Sequence, residues 1–183
     1  MLAAKNLLTG ERIRLTALTT DDVPVMVTWY SDEYVLRHLD ATPAKPYTAE
    51  KLTKWLEQNN SSDTSYVFAI RTLDENLLIG YIALTAILWN NRVSWIEMLI
   101  GGEETRGKGY GTEALQVAIG FAFRELNLHR IQLSVFDYNI PGIRAYEKAG
   151  FKREGTYREF LHRDGQVFDM HLYGLLRHEW EQG

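Results

Sequence analysis

Residues 101–114, "GGEETRGKGYGTEA", contain the beginnings of three different anion-binding loops. Gly102-x-x-x-x-Gly107-Lys108 starts a Walker A loop. Gly109-x-Gly111-x-x-Ala114 matches a shortened dinucleotide fingerprint, and Arg106-x-x-Gly109-x-Gly111 is a third glycine pattern. A Walker A loop needs Ser or Thr after its lysine, because that hydroxyl ligates magnesium. Here Lys108 is followed by Gly109, which has no ligand to offer. The dinucleotide fingerprint needs its first glycine at the end of the strand, so that the tight turn leads straight into the helix. Here "EETR" (103–106) intervenes. The third pattern asks only for a strand, a short loop and a helix whose first turn offers free amides. Its glycines let the backbone approach an anion without Cβ interference. The amides of residues 107–112 and the helix dipole then bind phosphates without a metal. In isolation, a glycine loop that merely caps a helix would look the same.

Outward from this loop the elements are legible. "RVSWIEMLIG" (92–101) reads as the strand before it, and Thr112–Leu126 as the helix after it. Upstream, "ERIRLTAL" (11–18) alternates as a strand, and Thr20 is placed to cap a helix with Asp21 and Asp22 in its first turn. A further helix is expected after Tyr47, capped by Thr48, with Leu52, Trp55 and Leu56 buried. "SYVFAIRT" (65–72) and "LLIGYIALTAIL" (77–88) flank a turn-rich break and read as an antiparallel hairpin. Downstream come a strand, "HRIQLSVF" (129–136), and a helix, "IPGIRAYEKAG" (140–150), closed by Gly150. The last element is a hairpin about Asp164–Gly165. The order is α+β, with one strand–helix–strand unit around the glycines.

Composition narrows the chemistry. The 183 residues suffice for one domain (1–183), with 45% hydrophobic and 24% charged residues, as in ordinary globular proteins. Twenty basic against 24 acidic side chains leave −4, which disfavours a nucleic-acid partner. There is no cysteine, so disulfides, thiolate metal sites and a cysteine nucleophile are excluded. The five histidines show no metal-ligand spacing, and no metal is expected. The N-terminal stretch lacks a long apolar run and nothing approaches a membrane span, so the cytoplasm is the expected address.

"RGKGYGTEAL" (106–115) followed some thirty residues later by "NIPGIRAYEKAGFKREG" (139–155) resembles the GCN5-related N-acetyltransferase (GNAT) superfamily. The resemblance extends through "GQVFDMHLYGLLRHEW" (165–180), over essentially the whole chain, with the core motif region at about 10–181. It is closest to the branch of ribosomal-protein N-terminal acetyltransferases. It implies a mixed, mostly antiparallel, splayed sheet of about six or seven strands flanked by helices. It also implies acetyl-CoA as co-substrate, an amine acceptor and no metal; a homodimer is compatible with it. By the same resemblance the backbone of Met98, Leu99 and Ile100 pairs with the pantetheine arm. Arg106, Gly107, Lys108, Gly109, Tyr110, Gly111 and Thr112 hold the pyrophosphate, and Asn139 hydrogen-bonds the arm. Tyr146 matches the tyrosine proposed as general acid to the sulfur.

Those residue types suit the chemistry. An amine attacking a thioester creates an oxyanion, which wants a pre-aimed N–H, and then a thiolate, which wants a proton. A phenol with an ordinary pKa near ~10 is a competent donor. The bland alternative for Tyr146 is a helix aromatic packed beneath the sheet. Glu97 is conspicuous as a carboxylate within the apolar "WIEMLI" (95–100), and is the candidate base. An edge position, or an ion pair with Arg92 or Lys108, would explain it equally well, and a water chain could replace it. Strand parity puts Trp95, Glu97 and Leu99 on one face unless a bulge resets it. A catalytically idle acyl-CoA sensor on the same fold remains the alternative to an enzyme.

Overall fold

In the computed structural model, which describes residues 6–182, seven strands form one sheet in the order β1-β2-β3-β4-β5-β7-β6. The strands are β1 (Ile13–Ala17), β2 (Tyr66–Thr72), β3 (Leu78–Leu88), β4 (Val93–Ile100), β5 (Arg130–Phe136), β6 (Lys152–Arg163) and β7 (Gln166–Leu176). The helices are α1 (Val23–Trp29), α2 (Glu33–Leu39), α3 (Ala49–Asn60), α4 (Tyr110–Arg124), α5 (Ile140–Lys148) and α6 (Arg177–Gln182). The first five residues of the N-terminal stretch read above lie outside the described range.

All neighbours are antiparallel except β4 and β5, which run parallel and pair only at Val93–Arg130, Ser94–Ile131 and Trp95–Gln132. Beyond Trp95 the two strands part. The edge of β4 that faces β5 is left without a ladder from there to Ile100. This splay opens the sheet where the functional residues were expected.

Each face of the sheet carries its own core. On one face α4 buries Leu115, Ala118, Ile119, Ala122 and Phe123 against Ile82, Leu84 and Ile131. The i, i+3/i+4 recurrence of these residues makes the stripe, and the alanines let the helix approach closely. Each fully buried Leu or Ile stabilises by about 1.5–3 kcal/mol. On the other face α1 and α3 cover Ala69, Tyr81 and Leu99 with Met26, Trp29, Leu52 and Leu56. Leu99 belongs to this second core while Ile96 belongs to the first, as the alternation of β4 requires. Register with β3 is unbroken from Trp95 to Ile100, and the irregularity falls between Thr85 and Leu88 of β3, where Ala86 has φ +48°. The parity read from the sequence therefore stands: the bulge is in the neighbouring strand.

Several boundaries differ from expectation. Thr19 rather than Thr20 is the cap, and it caps a single 3₁₀ turn, Thr20–Asp22, whose last residue is the N-cap of α1: the Thr19 N–H donates to the Asp22 carboxylate at 3.0 Å. Helix α2 emerges as a separate element, capped by Asp32, whose Oδ1 accepts from the Tyr34 N–H at 2.8 Å. Seven residues are too few for periodicity to declare a helix. Strand β6 runs from Lys152 to the turn at Asp164–Gly165, and its first half is not legible as alternation because two register shifts and a positive φ at Glu159 disturb it. Among the described residues no helix is long and apolar enough to cross a membrane.

Gly101 ends β4 against the indole of Trp29, and a Cβ there would lie 2.1 Å from the ring. Trp29 is buried and cannot swing aside freely. Gly101→Ala is expected to cost about 2 kcal/mol through overpacking, seen as a fall of several degrees in Tm. An unchanged Tm would mean that this junction relaxes without strain.

Candidate active site

The glycine loop leads into α4 through Gly109, whose φ of +85° is the left-handed conformation that favours glycine. Among the described residues, none of the six amides from Gly107 to Thr112 donates to a protein acceptor. The first in-chain bond is made by Glu113, whose N–H donates to the Gly109 carbonyl at 3.2 Å. Six successive free donors at the start of a helix form a ready anion cradle.

Arg106 does not add its side chain to that cradle. Its Nη2 donates to Asp32 Oδ2 at 2.5 Å, and its guanidinium lies 4.5 Å over the Tyr34 ring, while Nε is buried without a partner. The Arg106 hydrogen bond holds the Asp32 carboxyl below its ordinary pKa. Lys108 is exposed. The cation braced beneath the loop is Arg12, which the sequence reading did not single out. Its Nη1 donates to the Lys108 carbonyl at 3.0 Å, its Nε to Glu113 at 3.0 Å, and its guanidinium lies 5.0 Å over Tyr110. Nothing in the sequence relates Arg12 to Lys108; only the packing of β1 beside the start of α4 does.

The loop borders a cleft of about 1100 Å³ that runs into the splay. Its walls include all the residues singled out above except Lys108. Asn139 is the N-cap of α5: its Oδ1 accepts from the Gly142 N–H at 3.0 Å, which leaves its Nδ2 as a donor. Tyr146, on the same helix, is 9% exposed and packs edge-on to Phe151 at 6.0 Å. Burial and then the charge of Glu97 push its phenol up to about 12.

Glu97 has no ion pair or hydrogen-bond partner among the described residues; neither Arg92 nor Lys108 reaches it. Solvent reaches Glu97 through the cleft, yet the walls enclose it on its other sides. That desolvation, with the nearby charge of Asp40, raises its pKa above the ordinary carboxylate range. Behind it stand aromatic rings. The Tyr30 and Tyr81 hydroxyls are 2.8 Å apart, Tyr47 stacks on Tyr30 at 4.8 Å, and Trp55 leans on Tyr81 at 5.2 Å. Lys51 already places its ammonium 3.2 Å from the Tyr47 centroid. His38 also borders the cleft, stacked on Tyr34 at 4.0 Å, and burial lowers its pKa. Trp89 and Trp95 stay exposed outside the cleft. Among the described residues no cluster of His, Asp and Glu side chains is placed to hold a metal ion.

Residues 12–152 match the family model described as an acetyltransferase (GNAT) domain. The chain belongs to the GNAT acetyltransferase family. A prophage-derived uncharacterized N-acetyltransferase of Bacillus subtilis, YokL, is 28% identical over 173 residues, 94% of each chain. A putative ribosomal N-acetyltransferase of the same organism, YdaF, is 35% identical over 109 residues, covering 60% of this chain and 59% of its own. The fold is that of a Vibrio cholerae spermidine N-acetyltransferase solved with CoA and spermine. The TM-score is 0.83 at 22% identity, covering 92% of this chain and 98% of that one. The open seven-stranded sheet is thus the GNAT sheet, and acetyl transfer to nitrogen is the activity for which these relatives are named. The ribosomal branch to which the motifs pointed is present among them.

Proposed function

We propose that the protein transfers acetyl from acetyl-CoA directly to a primary amine of a small polycation, a polyamine or diamine. The observation that carries this reading is Glu97: an unpaired carboxylate with a raised pKa, facing the buried phenol of Tyr146 across the splay of β4 and β5. The residues present fit the co-substrate. Six free amides suit its pyrophosphate, the unpaired edge of β4 from Met98 to Ile100 suits its pantetheine arm as an added strand would, and the Asn139 Nδ2 can donate to that arm.

The amine then stands between Glu97 and the thioester. Glu97 attracts the ammonium and takes its proton, directly or through water, and the raised pKa brings base and operating pH closer. The C–N bond forms and the C–S bond breaks, Tyr146 gives its proton to the departing thiolate, and the second proton lost by the nitrogen returns to the Tyr146 phenolate, directly or through water. Two carboxylates, Glu97 and Asp40, together with the aromatic rings of Tyr30 and Trp55, favour a cationic acceptor over a neutral one. The relative solved with spermine agrees with that chemistry.

The test is thiol release from acetyl-CoA over a panel of diamines, polyamines, monoamines of matched length and N-terminal peptides. Having no cysteine, the protein contributes no background to a thiol reagent. The expected order places polyamines first. Preference for peptides would move the acceptor to a protein α-amine, and tight cofactor binding with silence across the panel would leave an idle acyl-CoA sensor. For the cradle, Gly109→Ala forces a side chain into a left-handed position, 3.2 Å from Arg12 Nη2. Coenzyme A affinity by calorimetry should fall about tenfold, the equivalent of roughly 1–2 kcal/mol for that strain. Undiminished affinity would argue that the amides do not hold the pyrophosphate.

A further inference from the structure

The wall of the cleft that carries Asp40 is the segment from the end of α2 to residue 48, which has no regular structure after Leu39. A short helix ends in carbonyls that need donors. Here the donors come from the far end of the chain. Arg163 closes β6 just before the Asp164–Gly165 turn. Its Nη1 donates to the Arg37 carbonyl and, at 2.7 Å, to the Tyr138 hydroxyl; its Nη2 donates to the carbonyls of Asp40 at 2.6 Å and Thr42 at 3.3 Å. The Tyr138 hydroxyl in turn donates to the Arg37 carbonyl.

Arg163 forms no ion pair with a carboxylate among the described residues. All its bonds go to neutral oxygens, three of them main-chain carbonyls of one segment, so its effect is to fix a backbone path. Only a planar guanidinium presents several donors in a fixed fork; an ammonium is a point on a flexible stem. Fixing that path fixes Asp40, whose own carboxylate accepts from the Thr42 N–H at 2.9 Å. Arg37 adds a separate link, a bidentate pair to Asp164 at 2.5 and 3.0 Å, and also reaches Glu33 at 3.1 Å.

We propose that Arg163 is a positioning residue of the acceptor site: from the β6–β7 turn it fixes residues 37–42, and so holds the Asp40 carboxylate toward Glu97. The proposal rests on the reading of the cleft as an amine site. Glu97 is faced by Asp40 from the segment after α2, by Tyr30 just after α1, by Tyr81 of β3 and by Tyr146 of α5. Of these only Asp40 is a carboxylate. Freeing the segment removes its charge from Glu97 and lowers the pKa of Glu97.

The experiment uses the full chain as wild type, Arg163→Met, Arg163→Lys and Asp164→Asn. Backbone hydrogen exchange over residues 37–44 should quicken at least about tenfold in Arg163→Met, with the rest of the chain unchanged. With spermidine and acetyl-CoA, KM for the amine should rise about tenfold, while kcat and KM for acetyl-CoA stay within about twofold. The acid limb of kcat/KM should move to lower pH. Arg163→Lys should recover only part of the affinity, and Asp164→Asn, which leaves every Arg163 bond in place, should behave as wild type. Unchanged exchange over 37–44 would overturn the proposal. So would both KM values rising together, or Asp164→Asn matching Arg163→Met. If the wild type acetylates no amine, the function proposed above fails on its own, and the exchange result still decides whether Arg163 holds the segment.

Discussion

Tyr146→Phe is expected to lower kcat about a hundredfold, about 2.7 kcal/mol of transition-state stabilisation, while coenzyme A affinity stays unchanged. The ring is held on α5 by burial and by its edge contact with Phe151, both of which phenylalanine keeps. Only the hydroxyl is lost. Its pKa of about 12, set by burial and the charge of Glu97, keeps it protonated throughout the working range, so the proton is available whenever the thiolate departs. No protein partner takes that hydroxyl among the described residues, and deleting it leaves no buried group unpaired. The variant should therefore fold with the stability of wild type. Single-turnover kinetics is the appropriate measurement, because slow product release would hide a loss in the chemical step. Wild-type single-turnover rates would take Tyr146 out of the mechanism and leave the thiolate to be protonated by water.

Glu97→Gln is expected to reduce kcat/KM for the amine about a hundredfold and to flatten the acid limb of its pH profile. In the wild type that limb should lie above the ordinary carboxylate value of 4.5, because burial, and secondarily Asp40, disfavours the ionised form. The same shift fixes the sign for stability. A carboxyl whose folded pKa exceeds its unfolded value contributes stability that is fully present below the unfolded pKa and is lost as pH rises through the folded pKa. At neutral pH the ionised Glu97 is therefore a burden on the fold, and Glu97→Gln should raise Tm at pH 7 but not at pH 4. A variant that lost activity and stability together would place Glu97 in the scaffold. One that kept the acid limb would assign that limb to another group, with a water chain as the base.

Much of the glycine loop was legible because its signal is local. A glycine after Lys108 excludes a magnesium loop by itself, and glycine at 107 and 109 permits the positive φ that both adopt. The helix after the loop begins at Tyr110 rather than Thr112, since the left-handed glycine is itself the cap. Asn139 was assigned through resemblance to the cofactor arm; the structure adds that its carbonyl oxygen is already engaged in capping α5, so only its amide nitrogen is available. Arg106 shows the limit of such reading. A basic residue at the head of an anion loop is naturally assigned to the anion, but Asp32, seventy-four residues away in the chain, takes it instead.

The acceptor side was much less legible. Glu97 stood out as a charge in an apolar strand, yet whether it was paired could not be known until β4 and β5 were seen to separate after Trp95. Helix α2 with the Asp40 wall that follows it, the aromatic cluster and Arg163 come from separate stretches of the chain, none with a motif of its own. Sequence by itself determined most of the elements, the glycine loop and the family, because propensity, capping and glycine conformation act over a few neighbouring residues. Tertiary structure alone decided which charges are neutralised and which stay free. Arg106 is paired to Asp32, Arg12 is braced on Glu113, and Glu97 is left with a phenol and a second carboxylate. Ion pairing and desolvation depend on distances through space, and the fold sets those distances without regard to separation along the chain.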